Sequence, residues 1–364
     1  MDTPLEAFIH RLLEDLITGR IFGGHLADSN SRANCQDFAN YDRVLVQDST
    51  IIKLPMHLFA EFSGVSNGHT KVCNARVQAT YELITGLLIS FSIDPYSKND
   101  LSAAPELPIK AGDLVLRDRG YLVPSEIQRH IDAGADCIYR HKTGTIYIDP
   151  KDGQPIDLAR KLRECGLLDM TVFLNNESRT PVRLVSAPVS EETANIRRMK
   201  ATKETHGHNP SKAVLELMGW TILITTIRPN RADFKRLLAI YGLRWRIEVI
   251  FKAWKSHMKF DCLHRVSRNQ MLILLKARLL LITCCTNVLH RALECSMQRK
   301  HQGRISFLKL INFLSAAPTN MLRALNSLSI DDPLSHVFHH AVLRYCCYDR
   351  RKRPNFCEIW ERLA

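Results

Sequence analysis

Two short apolar runs, each closed by an aspartate, constrain this chain more than any other feature. They are VLVQ before Asp48 and LVLR before Asp118. Each has three apolar residues, one polar residue and then the acid, which predicts a short strand buried on both faces. Strands of that kind need other elements to cover them. The 364 residues, 45% of them hydrophobic, are enough to build such a core. If the two strands lie side by side and parallel, both acids emerge near the same end of the sheet, where open α/β sheets place their reactive groups. An aspartate also closes a strand and opens a turn for purely local reasons. The repeated context therefore carries the expectation, not either acid alone.

The surrounding pattern supplies the rest of a mixed sheet. PLEAFIHRLLEDLI has helical periodicity, and the polar DSNSRANCQ reads as a loop. After the strand RVLVQDS, the runs VQATYELITG and LLISFSIDP predict two further strands turning at Thr85-Gly86. LSAAPEL predicts a short helix. GDLVLRDRGY, VPSEIQRHIDAGA and ADCIYRHK predict strand, amphipathic helix and strand, with Pro124 in the first turn of the helix. The order is three strands, helix, strand, helix, strand: a meander followed by helical crossovers. From 145 to 226 the chain turns β-rich, with TIYIDPKDGQPI, MTVFLNN, TPVRLVSAPV and WTILITTI as strands and IDLARKLREC as a helix. The basic stretch IRRMKATKETHGHNPSK predicts an exposed loop, with His206 and His208 solvated or facing a polyanion. RADFKRLLAIYGLRWRIEVIFKAWKSHMKF predicts one long helix bent or interrupted near Gly242, and helices follow to about 345.

Charge and cysteine usage narrow the class. The net charge is +13 and the pI is near 9.3, a balance that draws polyanions, nucleic acid above all. Eleven cysteines with no C-x-x-C spacing argue against zinc ribbons and disulfide scaffolds and for a reducing compartment. Glu6, Arg11, Glu14 and Asp15 interrupt the start of the chain where a signal peptide needs an apolar run. The greasiest segment, MLILLKARLLLIT at 271–283, is broken by Lys276 and Arg278 and is too short to span a bilayer. These features predict a soluble, cytoplasmic protein with no membrane partner.

The second constraint is YGLRWRIEVIFKAWK. On a helix, at about 100° per residue, Tyr241, Arg244, Glu248, Lys252 and Lys255 share one stripe. Helix salt-bridging accounts for Glu248 with Arg244 and Lys252, at i−4 and i+4. It does not account for Tyr241 and Lys255. Eight cations and two acids lie between Arg231 and Lys259, and such surroundings keep Glu248 ionised. Cations on the stripe suit phosphates, and Tyr241 suits a phosphate or a base. Asp48, Asp118 and Glu248 have the donor types of a two-metal phosphoryl-transfer site, whose ions lie about 4 Å apart. Trp245, at the edge of the stripe, and Trp254, off it, read as packing residues. The DRRKRP cluster near the C-terminus reads as a phosphate contact or a solvated face.

Tyr, two residues, Arg, three residues, Glu, six residues, Lys resembles the signature of the DDE transposases of the insertion-sequence-four family, and Tyr241, Arg244, Glu248 and Lys255 match every position. Asp118 in DRGYL resembles the second-aspartate motif of that family and Asp48 in VQDST its first. The resemblance covers roughly 40–262. It implies a ribonuclease-H-like α/β core with a β-rich insertion before the glutamate helix. It also implies two Mg²⁺ ions (Mn²⁺ able to substitute) on Asp48, Asp118 and Glu248, and cutting and joining of DNA at insertion-sequence ends. The partners implied are double-stranded DNA with terminal inverted repeats, target DNA and a second copy of the chain, in a bacterial, nucleoid-associated setting. Trp220 is similar to a tryptophan that precedes a strand at the close of the insertion in relatives; it serves as a core residue or stacks on an unpaired base.

The expected organisation is a short helical segment at 1–40, the first part of the core at 41–144, the insertion at 145–226, the glutamate helix at 227–262 and a helical region at 263–364. Relatives carry a longer helical region ahead of the first aspartate. With only 47 residues there, a truncated DNA-reading segment is expected. Two other readings share these features: a metal-dependent nuclease of the same fold, and a DNA-binding remnant without activity.

Overall fold

The computed structural model describes residues 4–18, 38, 40–64, 71–98, 107–204, 210–294, 304–326, 334–348 and 358–359. Helix α1 (Pro4–Ile17) precedes strands β1 (Arg43–Lys53), β2 (Asn74–Glu82) and β3 (Leu87–Pro95). Strand β4 (Asp113–Arg117), helix α2 (Pro124–Asp132) and strand β5 (Asp136–Arg140) follow. β1, β2 and β3 form an antiparallel meander, with Gly86 at φ +72° in the turn, and β4 and β5 add parallel to β1 on its other side. The order β3-β2-β1-β4-β5, with β2 alone running against the rest, is the ribonuclease-H-like arrangement.

The chain then builds β6 (Tyr147–Ile148), α3 (Leu158–Cys165), β7 (Leu168–Leu174), β8 (Pro181–Pro188), α4 (Glu191–Glu204), α5 (Lys212–Leu217) and β9 (Trp220–Thr225). β9 pairs antiparallel with β5, and β8, β7 and β6 extend the same sheet to nine strands. The first part of the expected basic loop is therefore the end of α4. His206, His208, the DRRKRP cluster, DSNSRANCQ and most of LSAAPEL lie outside the described residues.

Alternation along the strands separates two cores. Val44, Val46 and Ile52 of β1, with Leu114 and Leu116 of β4 and Ile138 of β5, face the larger core, which is covered by α1 and by helices late in the chain. Leu45, Val115, Cys137 and Tyr139 face the other way, onto Ile127 of α2 and Leu162 of α3.

The glutamate region is two helices, α6 (Phe234–Gly242) and α7 (Trp245–Ser256), parted at the interruption expected near Gly242. Between them the backbone bonds run three residues back, from Leu243 to Ile240, Arg244 to Tyr241 and Arg246 to Leu243. This tighter winding, about 120° per residue, breaks the ideal stripe. It leaves Trp245 63% exposed at the start of α7, where a packing role was expected, whereas Trp254 is fully buried.

The apolar 271–283 run also differs from expectation. Helix α8 (Arg268–Thr283), opened by a Ser267/Gln270 capping box, continues through a π-helical segment, Cys284–His290, to Glu294. Its 27 residues are long and apolar enough to cross a membrane, but Met271, Leu275, Leu279, Ile282, Cys285, Leu289 and Leu293 are buried in the larger core. The wide turn aims Asn287 at β3: its Oδ1 accepts from the Leu88 N–H (2.9 Å) and its Nδ2 donates to the Leu88 carbonyl (3.0 Å). Asn287→Leu strands both buried backbone groups. It is expected to destabilise the fold by about 2–4 kcal/mol, read from the urea midpoint at unchanged slope.

Candidate active site

Asp48 lies in the middle of β1, not at its end, while Asp118 follows the last residue of β4. The β1–β4 ladder ends at Gln47↔Arg117, so the two acids are the next residues in register. Both belong to the series that faces the larger core, with Val44 and Val46 on one strand and Leu114 and Leu116 on the other. Helix α7 packs on that same face through Ile247, Ile250, Phe251 and Trp254, the i, i+3, i+4, i+7 set of an amphipathic helix. Glu248 is one residue beyond Ile247, on the flank that looks toward the aspartates.

Arg244 joins these groups. Its Nη1 donates to Asp48 Oδ2 at 3.0 Å and its Nη2 to Glu248 Oε1. The Tyr241 hydroxyl donates to Asp118 Oδ1 at 3.3 Å, and the Arg244 guanidinium lies over the Tyr241 ring, 5.7 Å from its centre. Burial alone would lower the Arg244 guanidinium. Tyr241, Asp48, Glu248 and Asp118 together hold it above its ordinary value. Burial pushes the Asp48 carboxyl up to about 6, and Glu248 and Asp118 add to the rise. Arg244 and the Ser49 N–H, which donates to Asp48 Oδ1 at 2.8 Å, oppose it. Burial, then the nearby Asp118, also raises the Tyr241 hydroxyl.

Among the described residues, no three of His, Cys, Asp and Glu stand close enough to share one ion. The guanidinium of Arg244, 13% exposed, bridges two of the acids instead. The donor set still suits a divalent cation. Three carboxylates stand about one guanidinium that bonds two of them, and the repulsion of Glu248 and Asp118 adds to the burial that raises Asp48, so the cluster is short of positive charge.

The structure thus brings together Asp48, Asp118, Tyr241, Arg244 and Glu248, and leaves the other expected residues outside this hydrogen-bonded cluster. Lys252 is exposed. Lys255 Nζ donates to the Ile51 carbonyl of β1 at 2.6 Å, and burial lowers its amine. Trp220 opens β9 at the same end of the sheet, but its ring packs against the smaller core, on the face opposite the acids.

One residue near the cluster escapes the motif. The β4–β5 ladder ends at Arg117↔Tyr139, so Arg140 is the next neighbour of Asp118 in register, and its charge acts on Tyr241. The signal was present in the sequence: CIYR repeats the apolar-run-then-charge pattern of VLVQD and LVLRD on a third parallel strand.

The profile of the family described as Transposase DDE domain matches residues 40–285. The chain is similar to the transposase for insertion sequence element IS231E of Bacillus thuringiensis subsp. finitimus, 23% identical over 357 residues, 91% of this chain and 73% of that one. It is also similar to the transposase for IS231B of B. thuringiensis subsp. berliner, 23% identical over 76% of this chain and 62% of that one. The transposase for IS1151 of Clostridium perfringens is 25% identical over 68% of this chain and 57% of its own length. The chain therefore spans between 57% and 73% of these relatives. Among solved structures, a piggyBac transposase synaptic complex with hairpin DNA aligns over 87% of this chain and 60% of that one, at 10% identity and a TM-score of 0.44.

Proposed function

Because the chain belongs to the Transposase DDE domain family, we propose that it cuts and joins DNA at the ends of an insertion sequence. The observation that carries this reading is that one guanidinium, Arg244, bridges the carboxylates of β1 and α7, while Tyr241, whose ring lies under it, holds the carboxylate at the end of β4. Asp48, Asp118 and Glu248 would hold two divalent ions, Mg²⁺ or Mn²⁺. When bound, such ions supply Lewis acidity at phosphorus and favour the ionised form of the attacking oxygen.

The chain's own residues prepare the site. Tyr241 fixes the rotamer of Asp118 through its hydroxyl. Arg244 offsets the repulsion between Asp48 and Glu248 and holds the two side chains side by side. Lys255 ties α7 to β1 three residues beyond Asp48, which fixes the helix against the strand. Lys252, one turn after Glu248 and exposed, is placed to meet a backbone phosphate. Water attack at the transposon end frees a 3′-hydroxyl, and that hydroxyl then attacks the opposite strand or target DNA. Both steps are in-line displacements at phosphorus, so one cluster serves both. Joining two ends calls for two copies on DNA, with two-fold symmetry. The reaction belongs in the bacterial cytoplasm, at the nucleoid.

The test uses the full chain and linear DNA bearing the inverted repeats that flank its gene, with Mg²⁺ or Mn²⁺. Expected products are nicks at the repeat ends with free 3′-hydroxyls, followed by joined strands. Nicks without joined products point to a nuclease. Binding with no cleavage in either metal overturns the catalytic reading.

A further inference from the structure

Beyond the carboxylate cluster, two guanidiniums, Arg140 and Arg197, have no acid bonded to them among the described residues. Arg140 continues the register line Asp48–Asp118 onto β5, and it belongs to the series of Ile138, which faces the larger core. Among the described residues it has no hydrogen-bonded or ion-pair partner for its side chain, although it is half-buried. Arg197 of α4 reaches the neighbouring strand β9. Its Nη1 donates to the Trp220 carbonyl at 2.9 Å and its Nη2 to Thr221 Oγ1 at 3.3 Å. Thr221 is on β9, two residues from Leu223, and Leu223 is the register partner of Arg140. Burial and then the charge of Arg140 hold the Arg197 guanidinium below its ordinary value, so the two cations feel each other.

Two half-buried like charges whose fields overlap are costly unless an anion lies between them. Their place fits one anion in particular. It lies beside Asp118, at the carboxyl ends of β4 and β5, along any strand led across the cluster. Guanidiniums suit phosphate through paired, planar donors. We infer that Arg140 and Arg197 form a seat for a backbone phosphate of the DNA strand, next to the reacting one. The inference rests on the proposed DNA chemistry for its ligand, and it adds α4 and β9 to the elements that hold DNA.

Salt dependence tests it. Binding of the full chain to a short labelled duplex with a single-stranded end is measured over a range of salt concentrations. Each phosphate contact contributes about 0.7–0.9 to the slope of log K against log salt. Arg140→Ala is expected to lower the slope by about that amount and the double variant with Arg197→Ala by about twice it. Arg160→Ala, on the exposed face of α3, should leave it unchanged. Arg140→Ala loses no hydrogen-bonded or ion-pair partner among the described residues, so its melting temperature should match that of the unmodified chain. This variant decides the question, because Arg197→Ala also breaks bonds to Trp220 and Thr221. An unchanged slope in Arg140→Ala overturns the seat, as does weaker binding that tracks a lowered melting temperature. The slope is read without cleavage. Failure to nick DNA therefore counts against the catalytic reading alone, and an unchanged slope beside normal nicking counts against the seat alone.

Discussion

Asp118→Ala is expected to abolish metal-dependent nicking, a loss on the order of 10³-fold or more, or about 4 kcal/mol of transition-state stabilisation. Asp118 is the residue at which β4 stops, with an extended backbone and a partly exposed side chain, and every residue of the strand behind it is buried. Truncating it removes one of three anionic donors and the acceptor of the Tyr241 hydroxyl, but no core packing. The fold should therefore melt as before. DNA binding should hold or tighten, because an anion has been taken away from the phosphate path. Nicking assays with Mg²⁺, run beside binding and melting measurements on the same variant, separate these effects. Normal nicking by Asp118→Ala would sink the assignment of the cluster.

The parts legible in the sequence were those fixed by short-range pattern. VLVQD and LVLRD read as like strands whose acids would come together if the two lay side by side and parallel, and the parallel register Gln47↔Arg117 meets that condition. β2, β3 and the turn at Gly86 followed from alternation and turn chemistry. Asp48 was misplaced because the polar Ser49 and Thr50 after the acid look like a turn, whereas STIIK at 49–53 continues β1 through its pairing with β2. That pairing is a long-range property that no local window contains. The stripe named Tyr241, Arg244 and Glu248 of the cluster together with Lys252 and Lys255, which lie outside it, and it took ideal winding throughout. Where the winding tightens at Leu243 and Arg244, Tyr241 meets Asp118 while Arg244 turns in between Asp48 and Glu248. Trp220 was read by position along the chain, and its face follows from β9 pairing with both β5 and β8. Arg140 was missed because a single cation after an apolar strand carries meaning only once three strands are known to lie in line.

Trp254→Ala is expected to have the largest effect on stability, about 3–5 kcal/mol, and to abolish cleavage although the residue touches none of the acids. The indole is fully buried, with ring centres at 5.8 Å from Phe91 of β3, 5.0 Å from Phe251 of α7 and 5.7 Å from Phe260. It is the residue through which α7 grips the far strand of the meander. Alanine would leave a cavity between helix and sheet that these three phenyl rings cannot close without moving α7. A domain is stable by only about 5–15 kcal/mol, so the loss is a large share of the total. Glu248 sits six residues earlier on the opposite flank of the same helix, and its position relative to Asp48 depends on that grip. Trp254→Phe separates packing from other roles. The indole nitrogen has no hydrogen-bond partner among the described residues, so phenylalanine loses volume without breaking a bond. Urea unfolding should then show a much smaller shift for Trp254→Phe than for Trp254→Ala, with cleavage retained in the first and lost in the second. Equal shifts in the two variants would mean that the aromatic cluster does not hold α7 to the sheet.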